Sequence, residues 1–525
     1  MTKNILFIMC DQLRWDYLSC YGHPHLPTPN IDRLAEQGVR FSRAYCQAPL
    51  CGPSRASFYS GRYMSSHGVL ANDDPPRPGE KLLGHYLQAS GVRTALIGKS
   101  GVKANLRALE RLQIDPQSAM GQSLIQGGFE VIMRDDGIHP DPLLSDTYAY
   151  NHYLRKLGYD PVNPWDRNAN SAVDAAGNRL SGWQMRYARE PADIAEEHSE
   201  TAYTTDQALQ FLAAADPDVP WCLHLSYNKP HWPYVAPAPY HALFGPDQVL
   251  SAQRHEGERV NPHPVFEAFM AQDYSRNFSR DEVRETVIPT YMGLIKQIDD
   301  HLGRLFAALN DQGLMDTTLI VFTSDHGDYL GDHWLGEKDL FHEPSVRIPL
   351  IIYDPDPAAD ATRGTVDDRF VEAIDLLPTF VEFAGGDIEP ERLEGRSLLS
   401  LLRNETLLEP WRDGAISEID YSDRGPRTLL NRHPYDCRAY MVRTDRWKYI
   451  LYEGFRPQLF DLQEDPQEYV DLGDHPDYEA IRREHHERLF TWLRRRRIRT
   501  EMPTGRLFGM GPEADERVGI MIGHW

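Results

Sequence analysis

Residues 51–61 read Cys51-Gly-Pro-Ser-Arg-Ala-Ser-Phe-Tyr-Ser-Gly61, followed by Arg62. Alone, this is a cysteine in a turn before a helix, with Pro53 near the first helical positions, where its missing N–H costs nothing. The flanking sequence gives the stretch its fold. Upstream, residues 4–10 form an apolar run that ends in Asp11-Gln12, and residues 30–39 read as a helix stopped at Gly38. Downstream, a helix over residues 80–89 stops at Gly91 before a strand over 93–97. A long helix over 282–312 carries Val287, Tyr291, Leu294, Ile298, Leu302 and Leu305 at helical spacing. Gly313 ends it, and the apolar strand 318–322 runs into Ser324-Asp325-His326-Gly327. Helices alternating with wholly apolar strands predict an α/β fold, a large, mainly parallel sheet covered by helices on both faces.

The segment 103–195 is polar, rich in Pro, Gly, Asn and Asp, and reads as an irregular excursion over the active-site side. From about 411 the pattern changes. Residues 440–452 read as a β-hairpin turning near Thr444-Asp445, and a helix over 476–497 ends in Arg494-Arg-Arg-Arg497, a solvated basic helix end. The expected organisation is a catalytic unit, 1–410, and a C-terminal subdomain, 411–525, with a small antiparallel sheet. Its apolar tail, Gly519-Ile-Met-Ile-Gly-His-Trp525, needs a surface to pack on and favours a homodimer or homotetramer.

A chain of 525 residues with 41% hydrophobic and 25% charged residues is of ordinary globular composition. Its net charge of −23 argues against nucleic-acid or anionic-membrane binding. The N-terminal apolar run is too short for a secretory leader or a membrane span, so a cytoplasmic protein is expected. Six cysteines in a chain this long, with no C-x-x-C pair, do not make a disulfide framework or a zinc knuckle.

Asp11 and the Asp325-His326 pair each follow a strand. Parallel strands place such ends along one sheet edge, where residues three hundred positions apart can converge. Carboxylates with an imidazole form a metal-ligand set.

Five segments together resemble the formylglycine-dependent sulfatases of the alkaline phosphatase superfamily. They are Asp11-Gln12, the stretch 51–62, Gly98-Lys99, Pro230-His231-x-Pro233, and residues 324–338 ending in Lys338. The motif Leu459-Phe-Asp-Leu-x-x-Asp465-Pro resembles the family's C-terminal subdomain, and the tail is similar to those of phosphonate monoester hydrolases and their arylsulfatase relatives. The resemblance implies that Cys51 is oxidised by a formylglycine-generating enzyme to an aldehyde whose hydrate is the nucleophile. It implies one divalent metal held by Asp11, Gln12, residue 51, Asp325 and His326. With an imidazole replacing an asparagine and Gln12 replacing a carboxylate, Mn²⁺ is favoured and Ca²⁺ comes second. Arg55 would hold the hydrated aldehyde, Lys99 and Asn72 would contact substrate oxygens, and Lys338 or His231 would protonate the leaving group. His67 and His333 are weaker candidates, His333 as a residue behind the ligands.

The pattern breaks at Gly98-Lys99-Ser100-Gly101. Sulfatases commonly carry His two residues after the lysine, and phosphonate monoester hydrolases carry Tyr and Thr at the two positions. Lys99 favours a sulfatase; Gly101 has no side chain, and Lys103, Asn105 or water could replace the missing donor. The expected substrate is a small anionic ester, an aryl sulfate ahead of a phosphonate monoester or phosphodiester. From another class, a protein retaining its thiol could bind anions without turnover, or act as a phosphatase.

Overall fold

The computed structural model describes residues 3–144, 147–407, 409–498 and 500–502. Eight strands form the main sheet: β1 (Asn4–Asp11), β2 (Val39–Tyr45), β3 (Arg93–Gly98), β4 (Glu130–Arg134), β5 (Trp221–Pro230), β6 (Thr318–Ser324), β7 (Arg347–Tyr353) and β8 (Thr365–Glu372). Their order is β8-β2-β7-β6-β1-β5-β3-β4. Neighbours run parallel except β7, which is antiparallel to β2 and β6.

Strand β1 lies inside the sheet, and all eight of its residues are buried. Successive side chains alternate between faces. Ile5, Phe7 and Met9 enter one core with Phe58 and Tyr59, while Leu6, Ile8 and Cys10 enter the other with Val287, Tyr291, Ile298 and Leu302. The first face is covered by helix α1 (Cys51–Ser60), the second by helices α2 (Glu200–Ala214) and α3 (Asp281–Asp311). Burying each such large side chain contributes roughly 1.5–3 kcal/mol, so the covering helices are held by the same residues that make the strands apolar.

Four antiparallel strands follow: β9 (Gly414–Asp420), β10 (Arg438–Thr444), β11 (Trp447–Tyr452) and β12 (Gln458–Asp461), backed by helix α4 (Glu479–Arg494). The hairpin expected around Thr444 is present. One face of this sheet packs Leu489 of α4 on Val442, Tyr449 and Leu459, while Ile419, Met441 and Ile450 join the core of the main sheet.

Two expectations need correction. The segment 103–195 is not wholly irregular: it contributes β4, paired in parallel to β3, besides helices at Leu106–Arg111, Ala119–Gln126 and Ala149–Lys156. As an edge strand β4 buries only part of its residues, so it lacks the apolar run that marked the inner strands. The basic run at 494–497 is not simply solvated. Arg496 stacks on Trp492 and Tyr63, and the Arg497 carbonyl accepts from Arg62 Nη2 at 2.8 Å. The apolar tail, 519–525, lies outside the described residues.

Candidate active site

The carboxyl edge of the sheet assembles the polar centre. Strand β1 ends in Asp11, β3 leads into Lys99, β5 into His231, and β6 into Asp325 and His326. Cys51 is the first residue of α1, whose ten residues are all buried. The Gly52 N–H at the start of this helix donates to Asn72 Oδ1 at 2.8 Å, so Asn72 caps the helix beside Cys51.

Asp11, Cys51, Asp325 and His326 each offer a ligand atom within 4.8 Å of the others, and all four are buried. His326 Nδ1 faces the Gly327 carbonyl at 2.9 Å, so this nitrogen carries the proton. Nε2, the nitrogen that would offer its lone pair to an ion, points at Cys51 Sγ, 3.2 Å away, with Asp325 Oδ1 at 3.7 Å and Asp11 Oδ1 at 3.9 Å. Electron-pair donors converging in a dry site fit a divalent cation, which no other described cluster of these residue types does. Asp325 is itself well held: Oδ1 accepts from the N–H groups of Gln12 and His326 at 3.0 Å, and Oδ2 accepts from Arg55 Nε at 2.8 Å. Arg55 also donates to Ser226 Oγ and to the Lys99 carbonyl, leaving Nη2 without a hydrogen-bond acceptor.

Three cations face these acids. Burial would raise the Asp11 carboxyl, but Lys99, in direct contact with Oδ2, holds it well below its ordinary range with help from Arg55 and Lys338. Burial would lower Lys338; Cys51, Glu337 and Asp11 outweigh it and keep the ammonium charged. Lys338 Nζ lies 3.4 Å from Cys51 Sγ, 2.6 Å from Gln12 Oε1 and 3.1 Å from His231 Nε2. Burial and the Lys338 charge push His231 well below the usual imidazole range. Its Nδ1 donates to the Trp232 carbonyl at 2.7 Å, so Nε2 accepts from Lys338, and of the two it is Lys338 that holds a proton. Lys99, Arg55 and Lys338 thus set three positive charges against Asp11 and Asp325, a local balance opposite to that of the whole chain.

The loop carrying Lys338 is conformationally strained: Leu330, His333, Trp334, Glu337 and Asp339 all have positive φ. Asp332 accepts from Arg14 at 2.6 Å and Asp339 from Arg424 at 2.8 Å, tying the loop down at both ends. His333 contacts Glu258 at 2.6 Å and stacks on His342, behind the centre, while His67 bonds Ser57 within the helix packing.

Neither side chain expected to replace a donor at Gly101 does so. Asn105 Nδ2 donates to the Pro76 carbonyl, and its Oδ1 caps a helix by accepting from Ala108 N; Lys103 is half exposed, its Nζ 3.6 Å from Asp73. Gly101 itself has φ +67°, and a Cβ there would lie 2.6 Å from Arg55 Cδ. The position is filled by the arginine.

The sequence reading overlooked Asp136, two residues beyond the end of β4, which accepts from the N–H groups of Ser100 and Gly101 at 3.1 and 3.0 Å. The signal was an aspartate just past a strand, hidden because β4 was unreadable. It overlooked Asp328, considered below, and Lys229, whose buried ammonium donates to Asn170 Oδ1 and the Pro233 carbonyl, both at 2.9 Å, and so fixes the turn bearing His231.

The chain belongs to the sulfatase family, whose model matches residues 3–386. Residues 331–495 also match the C-terminal model of N-sulphoglucosamine sulphohydrolase. The fold and these matches define a hydrolase of sulfate or phosphonate esters. The chain is 32% identical to the multifunctional alkaline phosphatase superfamily protein PehA of Trinickia caryophylli, over 93% of this chain and 95% of that one. It is 28% identical to an arylsulfatase of Clostridium perfringens, covering 91% and 92%. The structure is similar to the phosphonate monoester hydrolase of Silicibacter pomeroyi, with TM-score 0.81, 27% identity and coverage of 94% and 96%. No described helix is long and apolar enough to cross a membrane.

Proposed function

We propose that the protein hydrolyses aryl sulfate monoesters through a formylglycine derived from Cys51 and one divalent metal, Mn²⁺ ahead of Ca²⁺. Phosphonate monoester and phosphodiester hydrolysis is the second reading, favoured by the similarity to phosphonate monoester hydrolases. The observation that carries the proposal is the position of Cys51 Sγ, in contact with Asp11 Oδ1, His326 Nε2 and the Lys338 ammonium.

Asp11, Asp325, His326 and the modified residue 51 would hold the ion, with Gln12 Oε1 as a further oxygen. When bound, the ion supplies positive charge to the non-bridging oxygens of the ester. The hydrated aldehyde at residue 51 would supply a hydroxyl nucleophile and a second hydroxyl whose proton loss lets the C–O bond to the sulfate break. The remaining work falls to side chains. Arg55 aims Asp325 through its Nε bond to Oδ2, and Lys99 adds positive charge where the anion enters. Lys338 donates the proton that the leaving oxygen needs, while His231 accepts one of its hydrogen bonds and aims it. Trp232, with its ring 4.5 Å from that of His231, and Trp183, a further 5.6 Å ring to ring, give the leaving-group side an aromatic wall that supports an aryl ester.

Intact-mass measurement of Cys51 conversion, paired with kinetics on aryl sulfate, aryl phosphonate and aryl phosphodiester, tests the reading. Activity should track the converted fraction and vanish on chelation and in Cys51→Ala. Full activity with an unmodified thiol would sink the mechanism, and a faster phosphonate reaction would reverse the ranking of substrates.

A further inference from the structure

Gln12 spans two partners of opposite kind. Its Nε2 donates to Asp328 Oδ2 at 2.5 Å, and its Oε1 accepts from Lys338 Nζ at 2.6 Å. An ammonium can only donate and a carboxylate only accepts, so the amide has one orientation. The Gln12 backbone is already pinned: its N–H donates to Asp325, its carbonyl accepts from Tyr291 OH at 2.8 Å, and its φ is +63°. What remains free is the flip of the amide, and Asp328 removes it. Asp328 is wholly buried; its Oδ2 also accepts from Tyr234 OH at 2.9 Å and its Oδ1 from Leu330 N at 3.0 Å.

We propose that Asp328 is a positioning residue that locks the Gln12 carbonyl oxygen toward the reaction centre, and that residues 12 and 328 form a unit whose charge can be exchanged. A carboxylate at position 12 would face Asp328 at hydrogen-bond distance in a dry site, two like charges without a shared proton. Asp328 therefore demands an uncharged donor at 12, and leaves one negative charge fewer beside Lys338 and the metal ligands. Exchanging the pair as a whole, with Glu at 12 and Asn at 328, keeps the total charge. It restores an N–H to carboxylate bond between the two and leaves the second Glu oxygen for Lys338.

The activity arm of the test rests on the substrate proposed above, and the metal arm only on the proposed metal site. Asp328→Asn, Gln12→Glu and the double variant are compared in kcat/KM on an aryl sulfate and in Mn²⁺ affinity, by calorimetric titration of the metal-free full chain. Removing such supporting partners typically lowers affinity or activity about 10–100-fold. Each single variant is expected to fall by that factor in both readouts, and the double to recover at least about tenfold over Gln12→Glu. A packing role alone would lower thermal stability in the singles without recovery in the double. If Asp328→Asn fails to fold, Tyr234→Phe removes one donor to the same carboxylate and should show a smaller loss in both readouts. The proposal is overturned by wild-type Mn²⁺ affinity in Asp328→Asn, by additive losses in the double, or by wild-type values for Tyr234→Phe. A chain that binds Mn²⁺ as expected yet ignores aryl sulfate would count against the proposed substrate alone.

Discussion

Replacing Gly101 with alanine tests whether the wall beside Lys99 is built around Arg55. Two costs follow from the structure. At φ +67° a residue with a Cβ is strained by about 1–2 kcal/mol. The new Cβ would also stand 2.6 Å from Arg55 Cδ, where carbon atoms settle at about 3.5–4.0 Å, so the arginine must retreat by about 1 Å. The Arg55 Nε to Asp325 Oδ2 bond measures 2.8 Å, and such a retreat takes it past hydrogen-bonding range. Losing one buried hydrogen bond to a charged group is worth about 1.5–3 kcal/mol. If that loss falls on the transition state, kcat/KM drops about 10–100-fold. The assay is kcat/KM on an aryl sulfate, with Mn²⁺ content and melting temperature measured on the same samples. Lys103→Ala, at the half-exposed lysine two residues on, is the control and should behave as wild type. Wild-type kcat/KM and melting temperature in Gly101→Ala would refute the reasoning, because they would mean that Arg55 can move without consequence.

Lys338→Met should cost about 10²–10⁴-fold, as loss of a general acid does. The loss should be greatest for esters of poorly acidic phenols; an unchanged dependence on leaving-group acidity would remove Lys338 from that role. Trp232→Ala should raise KM for aryl sulfates by up to about tenfold, the upper end of an aromatic contact, and leave alkyl sulfates unaffected; equal effects on both would dismiss the aromatic wall. Burial pushes the Glu418 carboxyl up to about 7, and its Oε1 has no hydrogen-bond partner. The folded state therefore holds a proton that the unfolded chain releases near 4.5, so stability falls as pH rises from there through 7. Glu418→Gln should melt with wild type at pH 4.5 and above it at pH 8, by up to about 3 kcal/mol; coincident melting at pH 8 would contradict this.

What could be read directly were elements whose core-facing positions are all apolar. Strands β1 and β6 and helix α3 announce themselves because each must be apolar on every core-facing position, and the antiparallel hairpin because its strands share one turn. Strand β4 could not be read, since an edge strand shows half its residues to water. The aspartate that follows it, Asp136, was lost with it. Asn105 looked available for substrate because a helix cap and a catalytic amide are the same residue type in a polar stretch; only its bonds to Pro76 and Ala108 tell them apart. The basic run at 494–497 looked solvated because its aromatic partners include Tyr63, more than four hundred residues away.

By itself the sequence determined the α/β class, the family and the residue types of the centre: a cysteine entering a buried helix, strand-end carboxylates, an imidazole, two lysines and an arginine. These follow from local patterns, periodicity along strands and helices and the residues placed at their ends. The tertiary structure decided which groups meet and in what protonation state. It gave the proton to Lys338 and withheld it from His231, filled the Gly101 gap with Arg55, and set Asp328 against Gln12. Each of those outcomes depends on burial and on charges brought together from distant parts of the chain, and in a dry interior such distances of a few ångströms, invisible in sequence, govern where protons and side chains reside.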